Sequence, residues 1–180
     1  MEQCEPLRCH LYVQSRCARD IAAVSAESPD EINHEVVRRM LGRYGNELPL
    51  IDGSIDAVRR LAADFRLAVA SSSNRPLIQT VLREAGIADL FEVIVSSEEV
   101  AAGKPAPDVY VEAARRLGVE PMRAAAVEDS SNGIRSAHAA GMRVIAIPNE
   151  HYPPAEDALA LVDVVLASAG ELSAELVQGR

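Results

Sequence analysis

The sequence predicts an α/β protein built on a mostly parallel sheet with flanking helices. Three observations lead there. From Leu50 onward, short apolar runs alternate with stretches of helical periodicity at a regular pitch. Proline stands near the start of the predicted helices, and glycine closes several of them. Polar clusters follow the apolar runs, where loops leave the carboxyl ends of parallel strands and ligands bind.

The elements follow in order. Residues 1–19 carry no helical pattern, although Leu7, Cys9, Leu11 and Val13 alternate in a strand-like way. Ser28-Pro29-Asp30-Glu31 is a helix start with acidic residues in the first turn. Ile32, Val36, Val37, Met40, Leu41 and Tyr44 then fall on one helical face, and Gly45-Asn46 ends it. A helix over 54–64 turns Ile55, Val58 and Leu61 inward, and 66–70 reads as a buried strand. A helix from Pro76 to Gly86, a strand over 92–95 and a helix from Pro107 to Gly118 come next. Strand 124–127, helix 132–140, strand 143–147, strand 163–166 and a last helix complete the chain.

Composition bounds the function. The 180 residues, 48% hydrophobic and 25% charged, suit one soluble globular domain. No apolar run reaches the ~18 residues of a membrane span, so no membrane role is expected. The polar, acidic start is unlike a secretory signal, and the expected location is cytoplasmic. A net charge of -9 disfavours a nucleic-acid partner, whose backbone needs a field of opposite sign. The three cysteines, Cys4, Cys9 and Cys17, all lie in the first 17 residues. With His10 they match no common zinc spacing, and an odd count does not suggest a disulfide framework.

Three strand-end loops carry the chemistry. Ser71-Ser72-Ser73-Asn74 offers hydroxyl and amide groups at a helix N-terminus, suited to phosphate oxygens and equally to ordinary turn chemistry. Gly103-Lys104-Pro105-Ala106-Pro107-Asp108 is stiffened by two prolines and holds the only lysine among 18 basic residues. In so arginine-rich a chain, that lysine reads as a place where a compact ammonium is required; a solvated surface lysine is the alternative. Glu128-Asp129-Ser130-Ser131-Asn132-Gly133 sets two adjacent carboxylates at the mouth of the sheet, a natural Mg²⁺ site, with helix capping by Asp129 or Ser130 compatible with it.

In this order the loops resemble the second, third and fourth motifs of the haloacid dehalogenase-like (HAD) phosphohydrolase superfamily. The stretches are LAVASSSN (67–74), GKPAPD (103–108) and AVEDSSNGIRSAHAAGMRVIAI (126–147). The likeness is greatest to its helical-cap subgroup, which includes β-phosphoglucomutase-like enzymes and small-metabolite phosphatases. It implies a Rossmann-like core over 50–180, a remnant of a helical cap over 20–49 and an atypical segment over 1–19. It also implies Mg²⁺-dependent hydrolysis of the phosphomonoester of a small metabolite. By motif position Ser71 would bind the transferring phosphoryl group, with Ser72 and Asn74 framing it. Lys104 would neutralise phosphate and nucleophile, Asp129 would ligate Mg²⁺, and Glu128 would support the metal. Positioning and charge neutralisation of this kind are what phosphoryl transfer needs.

The family's first motif, an apolar strand ending in Asp-x-Asp, supplies the nucleophile and the general acid–base. No Asp-x-Asp occurs in the chain. Asp52, two places before Ser54, reads as a turn residue ahead of a helix. The resemblance also puts the first strand at the centre of the sheet, so its loss leaves two buried edges, from which poor stability or self-association is expected. Two explanations follow. In the preferred one, the chain is an N-terminally incomplete, inactive form of a phosphatase. In the other, it is a non-catalytic protein that binds a phosphorylated metabolite or a protein partner, with residues 7–13 filling the central strand and Gln14 standing where the nucleophile would be.

Overall fold

The computed structural model describes residues 28–45, 48, 50–149 and 151–179. The alternating run at 7–13, the three cysteines, the whole 1–19 segment and residues 20–27, 46, 47 and 49 of the 20–49 segment lie outside the described residues.

Helix α1 (Pro29–Tyr44) starts as its sequence requires. The Ser28 hydroxyl accepts from the Glu31 amide at 3.2 Å, and the Glu31 carboxylate accepts from the Ser28 amide at 2.8 Å. This reciprocal cap satisfies two amides that the first turn leaves unpaired. Ile32 is buried on the inner face, and the helix packs against the core helix Arg75–Glu84. The core elements then alternate: α2 (Ser54–Ala62), β1 (Leu67–Ser71), α3 (Arg75–Glu84), β2 (Phe91–Ser96), α4 (Asp108–Leu117), β3 (Ala125–Glu128) and α5 (Ser131–Ala139). Strand β4 (Arg143–Ala146), α6 (Glu156–Leu159), β5 (Val164–Val165) and α7 (Ala174–Gln178) close the chain. All strand pairs are parallel. Each predicted core helix and strand is present, with ends within about two residues of expectation.

Local chemistry explains the boundaries. Pro107 is the N-cap of α4, and Gly118 ends that helix in the left-handed region at φ +68°, where a side chain would be strained. Exposed Asp52 sits in the turn before α2, consistent with its reading as a turn residue. One core joins α4, α5, β2 and β4 through Val95, Val109, Ile134 and Val144, none of which is exposed. A second packs Ala57 and Leu61 of α2 on Ile145 and Leu166. Helices thus cover both faces of the strands. Burying side chains of this size contributes roughly 1.5–3 kcal/mol each.

The strands form two separate sheets among the described residues, β1-β2 and β3-β4-β5. Between β1 and β3 lies a cleft of about 1010 Å³, lined by Leu67, Val69, Ala125 and Val127 of the two strands and by helix residues including Leu61 and Ala114. Its effect shows in burial: Val127 of β3 is 43% exposed, whereas Ile145 opposite it on β4 is completely buried.

Candidate functional site

The carboxyl ends of β1, β2 and β3 lie on one side of the sheets because the strands are parallel. The three polar loops therefore meet there. Ser71 is the last residue of β1 and pairs in register with Ser96 of β2. Its hydroxyl accepts from the Ser73 amide at 3.1 Å, which folds the loop back and leaves its own proton for an outside acceptor. The Ser72 carbonyl accepts from the Ser97 hydroxyl at 3.1 Å. The Ser97 side chain in turn lies 3.5 Å from the point where a Cβ on Gly103 would stand, so Ser97 links the loop after β1 to the loop that carries Lys104.

Asn74 departs from ordinary cap chemistry. It occupies the N-cap of α3, yet its side chain makes no cap hydrogen bond. Its amide instead donates to Glu98 at 2.5 Å, and Glu98 accepts from the Arg75 amide at 3.1 Å. The Ser73 hydroxyl and the Asn74 carbonyl oxygen are buried, without a hydrogen-bond partner among the described residues. Glu99 fixes the same loop from outside. Burial alone would raise its pKa, but the Ser96 amide, Arg116 and Arg75 outweigh this and hold it at about 2.

Lys104 is not a solvated surface lysine. Its side chain is 9% exposed, and its ammonium donates to the Glu128 carboxylate and, at 3.2 Å, to the Tyr110 hydroxyl. It also sits 4.7 Å from the centre of the Tyr110 ring, an attractive cation–π placement. Tyr110 donates to the same Glu128 oxygen. Burial first, then the charges of Glu128 and Asp129, push the Tyr110 phenol well above its ordinary pKa and keep it a donor. Ser130 donates to the other Glu128 oxygen at 3.3 Å and caps α5 by accepting from the Gly133 amide at 3.2 Å.

Glu128 is therefore satisfied from three sides, and the cation beside it is the Lys104 ammonium. Gly133 makes room for it: a Cβ there would lie 1.8 Å from the Glu128 carboxylate. The carboxylate rests against the first turn of α5, where the helix dipole favours an anion. The Lys104 loop is tied down as well, since Ser136 of α5 donates to the Ala106 carbonyl at 2.6 Å. Asp129 follows β3 directly, is half-buried, and lines the cleft across from the β1 side.

The structure thus joins Lys104 to Glu128, with Asp129 adjacent in the chain, and carries Ser71, Ser72 and Asn74 on the neighbouring loop. Sequence reasoning missed Tyr110 and Gly133. The signal for Tyr110 was an aromatic hydroxyl early in the helix that follows the lone lysine. For Gly133 it was a glycine inside a helix start, where alanine is otherwise favoured.

As a metal site, the arrangement offers two adjacent carboxylates, of which Glu128 is held by Lys104, Tyr110 and Ser130. Among the described residues no group of three or more His, Cys, Asp or Glu side chains gathers. Mg²⁺ commonly takes one or two carboxylates and completes its shell with water and substrate phosphate. The two adjacent carboxylates, Glu128 and Asp129, are compatible with Mg²⁺ on those terms. No helix among the described residues is long and apolar enough to cross a membrane.

Residues 11–141 match the family model of the haloacid dehalogenase-like hydrolases. Hexitol phosphatase B of Escherichia coli is 35% identical over 156 residues, covering 84% of this chain and 68% of that protein. Protein CbbY of Rhodobacter capsulatus is 40% identical over 111 residues, 58% of this chain and 48% of that protein. The chain therefore spans about half to two thirds of the length of these relatives. Among solved structures, CbbY from Rhodobacter sphaeroides in complex with phosphate superposes with a TM-score of 0.79 at 32% identity, covering 91% of this chain and 76% of that one. A mutant of the same protein has been solved with xylulose-1,5-bisphosphate.

Proposed function

The chain belongs to the haloacid dehalogenase-like hydrolase family, in its helical-cap subgroup, and we propose that its strand-end loops form a phosphate site for a small phosphorylated metabolite. The observation that carries this reading is Lys104, a lone lysine held almost buried by Glu128 and Tyr110 beside the hydroxyl-rich loop after β1. Holding an ammonium in place costs flexibility and desolvation, a cost that makes sense where an anion must be met. Relatives are named for hexitol phosphates, fructose 1-phosphate, FMN and validoxylamine A 7'-phosphate, which supports small phosphorylated metabolites as the substrate class.

The residues divide the work. The Ser71 hydroxyl donates to a phosphate oxygen, while Ser72 and Asn74 frame it from the same loop. Lys104 neutralises charge, with Glu128 and Tyr110 fixing its position. Asp129 holds Mg²⁺, and bound Mg²⁺ would add a second positive charge against the phosphoryl oxygens. No described carboxylate stands in an Asp-x-Asp arrangement to attack phosphorus. The sequence given is therefore assigned phosphate binding without turnover.

Two measurements on the full chain test this. Calorimetry with inorganic phosphate and Mg²⁺ should show binding that weakens at least about tenfold, or 1.4 kcal/mol, in Ser71→Ala and Lys104→Met. Unchanged binding in a folded Ser71→Ala protein would remove the site. Hydrolysis of p-nitrophenyl phosphate should be undetectable, and turnover of about 1 s⁻¹, an ordinary enzymatic rate, would refute the loss of catalysis.

A further inference from the structure

The loop after β1 is held by the turn after β2 residue by residue. That turn, Ser96–Glu99, is closed on itself: the Ser96 hydroxyl accepts from the Glu98 amide at 3.2 Å, and Glu99 accepts from the Ser96 amide at 3.0 Å. From it the Ser97 hydroxyl donates to the Ser72 carbonyl at 3.1 Å, and the Ser96 hydroxyl to the Ser73 carbonyl at 2.7 Å. Glu98 takes the next two positions, accepting from the Asn74 side-chain amide and from the Arg75 backbone amide. Glu99 pairs with the Arg75 guanidinium at 2.6 Å and with Arg116 of α4 at 2.8 Å. The chain of contacts ends on Ser71, because the Ser73 amide donates to the Ser71 hydroxyl. How Ser73 is set therefore decides how that hydroxyl stands.

Glu98 is the member of this turn that charge alone would not place there. Arg75 opens α3, so its amide is one that helix geometry leaves unpaired and that favours an anion. Here the anion is a carboxylate of the protein's own, reaching in from another loop. A negative charge next to a phosphate loop repels the ligand the loop is to hold. What Glu98 supplies is geometry, since buried Asn74 has no cap bond of its own and is tied through its side chain to this carboxylate. We propose that Glu98 is a positioning residue for the phosphate loop: it caps α3 from outside, holds Asn74, and through Asn74 and Ser73 sets the Ser71 hydroxyl, without touching phosphate. The role deepens the phosphate reading of these loops and rests on it. It also divides the contacts to the anion. Phosphate is met by the loop hydroxyls and Lys104, while the first amide of α3 belongs to Glu98.

The sign of one change tests this. The full chain is titrated with inorganic phosphate by calorimetry at fixed Mg²⁺ and ionic strength. If Glu98 acted only through its charge, Glu98→Ala would bind phosphate more tightly. As a positioning residue its loss should instead weaken binding by about tenfold. Glu98→Gln, which drops the charge but keeps an acceptor oxygen for the Arg75 amide, should recover most of the affinity. Unchanged or tighter binding in a folded Glu98→Ala protein overturns the role, and so do equal losses in the two variants. Amide hydrogen exchange adds a readout on the unaltered chain: the Arg75 amide should be protected, and exchange there at the rate of an unstructured peptide refutes the cap. Ser71→Ala, titrated alongside, separates the two readings. If the unaltered chain binds no phosphate, or Ser71→Ala binds it equally well, the phosphate site falls and the role of Glu98 with it. If Ser71→Ala loses binding and Glu98→Ala does not, the positioning role alone is refuted.

Discussion

Replacing Gly133 by alanine isolates the packing that holds the site together. In an ordinary helix the change stabilises by about 1 kcal/mol, because glycine carries the larger entropy loss. Here the added Cβ would stand 1.8 Å from one Glu128 carboxylate oxygen, 2.3 Å from the other and 2.0 Å from the carboxyl carbon. No contact that close survives, so the carboxylate must leave. Glu128 is buried, and it would part from Lys104, Tyr110 and Ser130 together. Breaking a buried, hydrogen-bonded charge pair costs about 3–5 kcal/mol. Set against the helix gain, the net loss should be roughly 2–4 kcal/mol. Urea unfolding followed by circular dichroism measures it as a lower midpoint with an unchanged slope. A double-mutant cycle assigns the cause: in a Glu128→Ala background the same glycine replacement should no longer cost stability and should recover the helix gain of up to about 1 kcal/mol. If Gly133→Ala is neutral or stabilising in the unaltered chain, the carboxylate is not seated as described and the positioning of Lys104 loses its basis.

Further outcomes follow from the same contacts. Tyr110→Phe removes one donor to Glu128 and should destabilise by about 1–3 kcal/mol, read from the same unfolding curves; no change would mean the carboxylate is satisfied elsewhere. Glu99 has its folded pKa depressed to about 2, so its contribution to stability is full above the ordinary carboxylate range near 4.5 and is lost as pH falls from there toward 2. After discount for solvent screening, that loss should be on the order of 1–2 kcal/mol, and Glu99→Gln should flatten this part of the stability–pH curve. Ser28→Ala removes the cap of α1 and should cost about 1 kcal/mol in thermal or urea unfolding, with phosphate binding unchanged.

The sequence by itself determined the α/β class, the order of the core elements and the loops that form the site. These are local properties. Apolar periodicity sets each element, Pro107 and Gly118 punctuate α4, and Ser28 with Glu31 caps α1. Parallel strands then send every strand-end loop to the same side. The absence of Asp-x-Asp was also legible, because it is a statement about residue order alone. What Lys104 touches was not. Its partners Tyr110 and Glu128 lie 6 and 24 residues away, on a helix and on another strand. The room made by Gly133 for Glu128 exists only once β3 and α5 are set against each other. The division into two sheets among the described residues, with a cleft between β1 and β3, is likewise a tertiary fact, since pairing depends on which edges meet rather than on what each strand contains. Local propensity chose the pieces; long-range packing and the burial of charge decided what each polar side chain could reach.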